Sequence, residues 1–180
     1  MVVVVAVVLA VVLVATYLTW TAGRLDRLTA RVDAAWSALD AQLVRRAAAG
    51  GDLAAHLRRH RLVEEDAALA LQRAAAAARD ASPADREARE NELSRAIRTV
   101  LDEVAGRGGK VDALAEELRT SGNRVMLARQ FYNDAVRDNR NRRRRWVPLL
   151  LTVQHRDEPQ RPFFEIDDSA ESGPGYAAPP

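Results

Sequence analysis

The amino-acid sequence predicts an all-α protein, in which an N-terminal transmembrane helix continues into a long antiparallel four-helix bundle. Three observations lead to this prediction. No charged side chain occurs before Arg24, hydrophobic residues make up 48% of the chain but aromatic residues only 5%, and apolar residues recur at spacings of three and four. Alanine and leucine supply much of the apolar content, and both have high intrinsic helix propensity.

Composition excludes several classes of site. The chain has 180 residues, which favours a single folded domain, and it contains no cysteine. Disulfides, thiolate nucleophiles, cysteine-ligated zinc and iron–sulfur clusters are therefore excluded. Because the formal net charge is only +2, any attraction to polyanions has to come from local clusters of charge.

The N-terminal segment 1–22 predicts a membrane anchor. Twenty-two helical residues extend about 33 Å, which exceeds a hydrocarbon core of about 30 Å. Tyr17 and Trp20 stand where an interfacial aromatic belt is expected. A cleaved signal peptide is the alternative, but no basic side chain precedes the apolar run, and the cleavage motif is weak. Three arginines follow the segment, so the positive-inside rule predicts a single-pass protein of the cell membrane with a cytoplasmic bundle: Arg24, Arg27 and Arg31.

The first two helices of the body are predicted from apolar stripes and glycine breaks. Helix one continues from the anchor to Ala49, with Leu39 and Leu43 on its apolar face. Gly50-Gly51 is expected to end it, and Asp52 to cap a second helix over about 52–80.

Helix three is predicted to start at Ser82-Pro83, with Asp85, Glu87 and Glu90 near the positive end of its dipole. Gly106 to Gly109 ends it. Helix four, over about 110–146, has the clearest seam, spaced by three and four: Val111, Leu114, Leu118, Ser121, Val125, Ala128, Tyr132, Ala135 and Asn139.

The prolines and the composition of the C-terminus set the remaining boundaries. Pro148, Pro159 and Pro162 are expected to preclude regular helix. The predicted organisation is an anchor (1–22), a helical bundle (23–147), an irregular extension (148–168) and a disordered tail (169–180) rich in Gly, Pro, Ser and acidic residues.

Three stretches resemble the LemA family. They read RVDAAWSALDAQLVRR over 31–46, NRVMLARQFYNDAVR over 123–137 and FFEID over 163–167. Their order and spacing agree with the family pattern, although the loop after the double arginine differs. The resemblance implies a membrane-anchored antiparallel bundle without catalytic residues or cofactors, and some relatives are tied to membrane organisation. The family-motif residues are Trp36, Asp40, Gln42, Arg45, Arg46, Arg129, Tyr132 and Asn133.

The motif residues are interpreted mainly as packing and hydrogen-bonding positions of the bundle. A polar pocket near Arg129 and Asn133 would instead suit a sensor of a small ligand or metal. His56 and His60 lie one turn apart with Glu64 beyond them, yet neighbouring arginines favour solvated histidines over a metal site. No Glu-x-x-His pair, HExxH, GxSxG or phosphate loop occurs.

An arginine run ends helix four. Arg142, Arg143, Arg144 and Arg145 precede Trp146, and such a run is either a solvated helix end or a contact for anionic lipid or a protein partner. Nucleic-acid binding is the least favoured reading. The function that the sequence predicts is a non-enzymatic, membrane-anchored scaffold that acts through unidentified protein partners and lipid contacts.

Overall fold

A computed structural model describes residues 1–150 and 161–166, with the backbone alone at 18, 21–22, 24–26 and 143–150. Four α-helices occupy this part of the chain: α1 (Val2–His60), α2 (Glu65–Arg79), α3 (Arg86–Val104) and α4 (Gly109–Leu150). The described residues contain no β-strand. The all-α prediction is therefore confirmed for them.

The predicted helix break at Gly50-Gly51 is wrong, because α1 continues through both glycines to His60. A Cβ atom on Gly50 would lie 3.6 Å from Leu93 and 3.8 Å from Ala75. These are ordinary van der Waals distances, so Gly50 lies in the packed interface of α1 with α2 and α3. Each mid-helix glycine costs about 1 kcal/mol relative to alanine, and burial of the following apolar face, including Leu53 and Leu57, outweighs that cost.

The first break lies instead at residues 61–64. The N–H of Leu62 donates to the carbonyl of Leu57 at 3.0 Å, and that of Arg61 donates to Arg58 at 3.2 Å. This is the Schellman pattern of a helix C-terminus. Arg61 occupies its left-handed position with φ 52°. Asp52 consequently caps no helix, and α2 is shorter than predicted.

The other boundaries lie close to the predictions. Asp85 precedes α3, and its N–H donates to the Ser82 hydroxyl at 3.3 Å, so the serine contributes to the turn before the helix. Gly106 has φ 75° and follows the end of α3, as expected. The helix α4 passes Pro148 and ends at Leu150, which corrects the boundary placed at that proline.

The described chain divides into two compact units. The first unit consists of Met1–Trp36 with Tyr132–Phe163, and the second of Ser37–Phe131 with Phe164–Pro180. In the first unit, α1 and α4 contact each other through Trp36 and Tyr132.

The second unit is a helical bundle with one apolar core. All four helices contribute to this core, for example through Leu53, Leu71, Ile97 and Leu118. Arg58 on α1 contacts Gln72 on α2, while Gly50 lies beside Ala75, so these helices run in opposite directions. The short connections between later helices also reverse the chain. The up-and-down arrangement is as predicted.

The prediction of a membrane-crossing helix over 1–22 is not supported. No helix in the described part of the chain has an apolar stretch long enough to cross a membrane. The unbroken run of described side chains, Met1–Tyr17, spans about 26 Å at 1.5 Å per residue. Leu18, Thr21 and Ala22 fall within the predicted span, and their side chains lie outside the described residues.

Candidate functional site

The first unit joins the motif residues Trp36 and Tyr132 to the extended C-terminal segment. The two rings meet edge to face, with centroids 5.4 Å apart. The Tyr132 hydroxyl donates to the Pro162 carbonyl at 2.9 Å. Arg161 pairs with Asp33 at 3.0 Å, and its guanidinium lies 5.6 Å from the Trp36 ring centroid. Tyr132 is buried and Trp36 half-buried, so both residues act as packing positions.

The basic end of α4 is partly engaged in the same unit. Arg140 donates to the Arg161 carbonyl at 3.0 Å, and its guanidinium lies 4.3 Å from the Phe163 ring centroid. Arg142 is half-buried. The side chains of Arg143, Arg144, Arg145 and Trp146 lie outside the described residues.

A buried polar cluster occupies the core of the second unit. The guanidinium of Arg46, 1% exposed, donates to Glu90 at 3.0 Å and to the Ser94 hydroxyl at 2.7 Å. Glu90 and Ser94 are fully buried on α3. Since a charge in an apolar core is costly without a partner, the three side chains fix how α1 and α3 pack.

A second arginine links three helices of this unit. Arg86 on α3 pairs with Asp40 on α1 and donates to the Ala78 carbonyl at the end of α2 at 2.6 Å. A cation near the last carbonyls of a helix also suits its dipole. The neighbouring motif residues differ in environment, because Gln42 is half-buried and Arg45 is exposed.

Arg129 contacts the C-terminal segment within the second unit. Its guanidinium donates to the Ile166 carbonyl at 3.2 Å, and the Glu165 N–H donates to Glu87 at 2.9 Å. Phe164 and Ile166 are buried. The arginine thus holds the main chain of this segment in place, while Asn133 is half-buried and belongs to the first unit.

His56 and His60 face each other at the end of α1, with ring centroids 4.5 Å apart. Partial burial lowers the pKa of His56 below its usual range, and the charges of His60, Arg59 and Lys110 lower it further. The same positive charges oppose a bound cation. No group of three or more metal-ligating side chains occurs among the described residues.

A cavity of about 580 Å³ lies nearby, at the connection between α1 and α2. Three arginines and two glutamates line it together with two apolar residues: Ala55, Arg58, Arg59, Arg61, Val63, Glu64 and Glu65. Its charged lining is exposed on both sides of the turn. Neither Arg129 nor Asn133 contributes to it.

Sequence reasoning missed the partners of the motif arginines. Glu90 was expected to act on the helix dipole, but it lies three residues before Leu93 and seven before Ile97, on the buried face of α3. A carboxylate on an apolar stripe is the signal that could have identified it. Glu87, Arg86 and Arg161 carry no comparable signal, because their contacts join residues far apart in the chain.

Comparison with known proteins identifies the family of the chain. The family model for the LemA family matches residues 35–175, a range that includes the second and third motif stretches and residues 35–46 of the first. No match to a curated protein or to a solved structure was found. Because the matched range covers well over half of the chain, the protein belongs to the LemA family.

Proposed function

We propose that the protein is a non-enzymatic scaffold that residues 1–22 attach to a lipid membrane. The proposal rests on the exposure of the apolar side chains in this segment. The large apolar side chains from Met1 to Val14 are 54–103% exposed. A continuous apolar surface of this kind is rare on proteins that face only water, and it is typical of a membrane or protein contact.

The polar groups of this segment support a lipid environment. The Thr16 hydroxyl donates to the carbonyl of Val12 at 2.8 Å, and Thr19 makes the same contact with Ala15. These groups therefore need no water, which is the condition for burial in hydrocarbon. Tyr17 and Trp20, 40% and 60% exposed, stand at the end of the segment, where the interface would lie.

The charge that follows supports a cytoplasmic bundle and contact with anionic headgroups. In the first unit, Trp36 on α1 contacts Tyr132 on α4. Asp33, which is earlier on α1, and Arg140, which is later on α4, both contact Arg161. The two helices therefore run in opposite directions. The basic end of α4 thus lies towards the start of α1. Residues 24–33 and 137–145 together contain nine arginines and three aspartates, and basic residues next to a membrane segment favour the cytoplasmic side.

A role without catalysis is proposed because the motif residues serve internal contacts. Arg46 binds Glu90 and Ser94, and Arg129 binds the Ile166 carbonyl. The bundle that these contacts stabilise would present its outer surface to other proteins. We propose that other proteins bind to this scaffold.

Membrane attachment is tested by fractionation of cells that produce the full chain. We expect the chain in the membrane pellet after carbonate extraction. Val8→Lys with Val12→Lys should move it to the supernatant, since a lysine at the centre of a spanning helix costs about 2.5–3.5 kcal/mol. The matched control is Thr99→Lys with Thr120→Lys, two exposed positions outside the segment. Recovery of the unaltered chain in the supernatant would contradict the proposal.

A further inference from the structure

The helix α4 carries a second apolar feature, on the face opposite its buried seam. Leu127 is 51% and Phe131 65% exposed. Apart from Met1 to Trp20, they are the only large apolar side chains exposed to this degree among the described residues. They are four residues apart and therefore adjacent on the helix surface. Two such neighbours form a small patch rather than a scattered exposure.

Charged residues extend this patch along the helix in both directions. Arg124 precedes Leu127 by three residues, and Asp134 follows Phe131 by three. The spacings of three, four and three are those of core positions in a coiled coil. Arg124 and Asp134 are both exposed. The result is one stripe with a cation at one end, an anion at the other and apolar side chains between them.

We propose that a second copy of this chain packs on this stripe, with the two α4 helices antiparallel and related by a twofold axis near residue 129. In that register Leu127 meets the partner's Phe131, and Arg124 meets the partner's Asp134. Twofold symmetry forms each contact twice. The charges also select the direction, because a parallel pair would place arginine against arginine and aspartate against aspartate.

The existing contacts leave the charged residues available for this pairing. Arg124 makes no ion pair within the part of the chain that the structure describes. Asp134 pairs with Arg137 at 3.3 Å, but the two side chains are 67% and 64% exposed. Such a surface pair contributes at most about 1 kcal/mol. Asp134 can therefore accept the partner's Arg124 at little cost.

Because the chain has no cysteine, disulfide formation can report the register. Full chains with Leu127→Cys are mixed with full chains with Phe131→Cys and oxidised mildly. We expect a disulfide-linked heterodimer. Chains with Lys110→Cys and Asp112→Cys, two exposed positions at the start of α4, are the control and should remain monomeric. The absence of a dimer specific to 127 and 131 overturns the proposal.

Charge reversal tests the ionic contacts in the same assay. Arg124→Asp and Asp134→Arg should each abolish the dimer, and a chain that carries both changes should recover it. Neither single change is expected to unfold the bundle, since exposed substitutions usually alter stability by about 0.5 kcal/mol or less, which circular dichroism checks. Loss of dimer in the double variant, or crosslinking of Leu127→Cys only to a different protein, overturns a second copy as the occupant.

Discussion

The guanidinium of Arg46 on α1 lies 3.0 Å from the carboxylate of Glu90 on α3, and neither side chain reaches solvent. An ion pair in such a place adds little net stability over apolar residues of the same size, but its disruption leaves a buried charge without compensation. We expect its main effect to be on how α1 and α3 pack.

Removal of one member of the buried pair should destabilise the bundle strongly. Glu90→Gln leaves the Arg46 charge uncompensated, and we expect a loss of about 3–5 kcal/mol in the free energy of unfolding. The control is Glu92→Gln on the same helix, which removes an exposed pair with Arg89 and should cost less than about 1 kcal/mol. Denaturant titration followed by circular dichroism measures both. Equal effects of the two substitutions would show that burial of the ion pair does not determine the loss in free energy of unfolding.

Arg61→Gly should stabilise the protein. Arg61 has φ 52° at the end of α1, and the left-handed conformation costs an ordinary residue about 1–2 kcal/mol. Because glycine avoids that cost, we expect a gain of about 1 kcal/mol. Gly106→Ala is the reverse control: Gly106 has φ 75° with open space around its Cβ position, so a loss of similar size should result. A fall in melting temperature on Arg61→Gly would contradict the account of this helix end.

Trp36→Ala should destabilise the first unit through loss of the contact with Tyr132. A buried tryptophan costs about 3–5 kcal/mol on truncation, and since Trp36 is half-buried, we expect about 2–3 kcal/mol. Thermal melting of the full chain in detergent measures the effect. Trp20→Ala is the control, because Trp20 is 60% exposed and should leave the melting temperature unchanged. If both variants melt like the unaltered chain, Trp36 does not hold the unit together.

The arginine run should bind anionic lipid. Replacement of Arg142, Arg143, Arg144 and Arg145 with glutamine removes four charges, and at about 1 kcal/mol each near an anionic surface the affinity should fall more than about a hundredfold. The assay is sedimentation of residues 24–180 with vesicles that contain anionic lipid, at low and high salt, because screening weakens a headgroup contact.

The control for the lipid assay keeps the change in charge but moves it elsewhere. Four exposed arginines of the second unit are replaced with glutamine: Arg73, Arg79, Arg89 and Arg95. Binding should then change little. Equal weakening by both sets would indicate a nonspecific effect of net charge, and no binding by any protein would leave the run as a solvated helix end.

The sequence determined the helices and their buried faces, because an apolar period of 3.6 residues can be recognised locally. The predicted seam of α4 is largely buried, as at Leu118, Val125 and Tyr132. The break at Gly106 was also local, since glycine adopts positive φ without strain. The motif stretches identified the family before any contact was known.

Only the tertiary structure decided that α1 passes through Gly50-Gly51 and that Arg46 pairs with Glu90. The continuation of α1 depends on packing against Leu93 and Ala75, whose side chains lie beside Gly50 although they are far along the chain. The ion pair joins residues 44 positions apart. A local pattern indicates which face of a helix is buried. It does not indicate which residues pack against that face, because these belong to distant segments of the chain. The energy of their contacts outweighs local helix propensity.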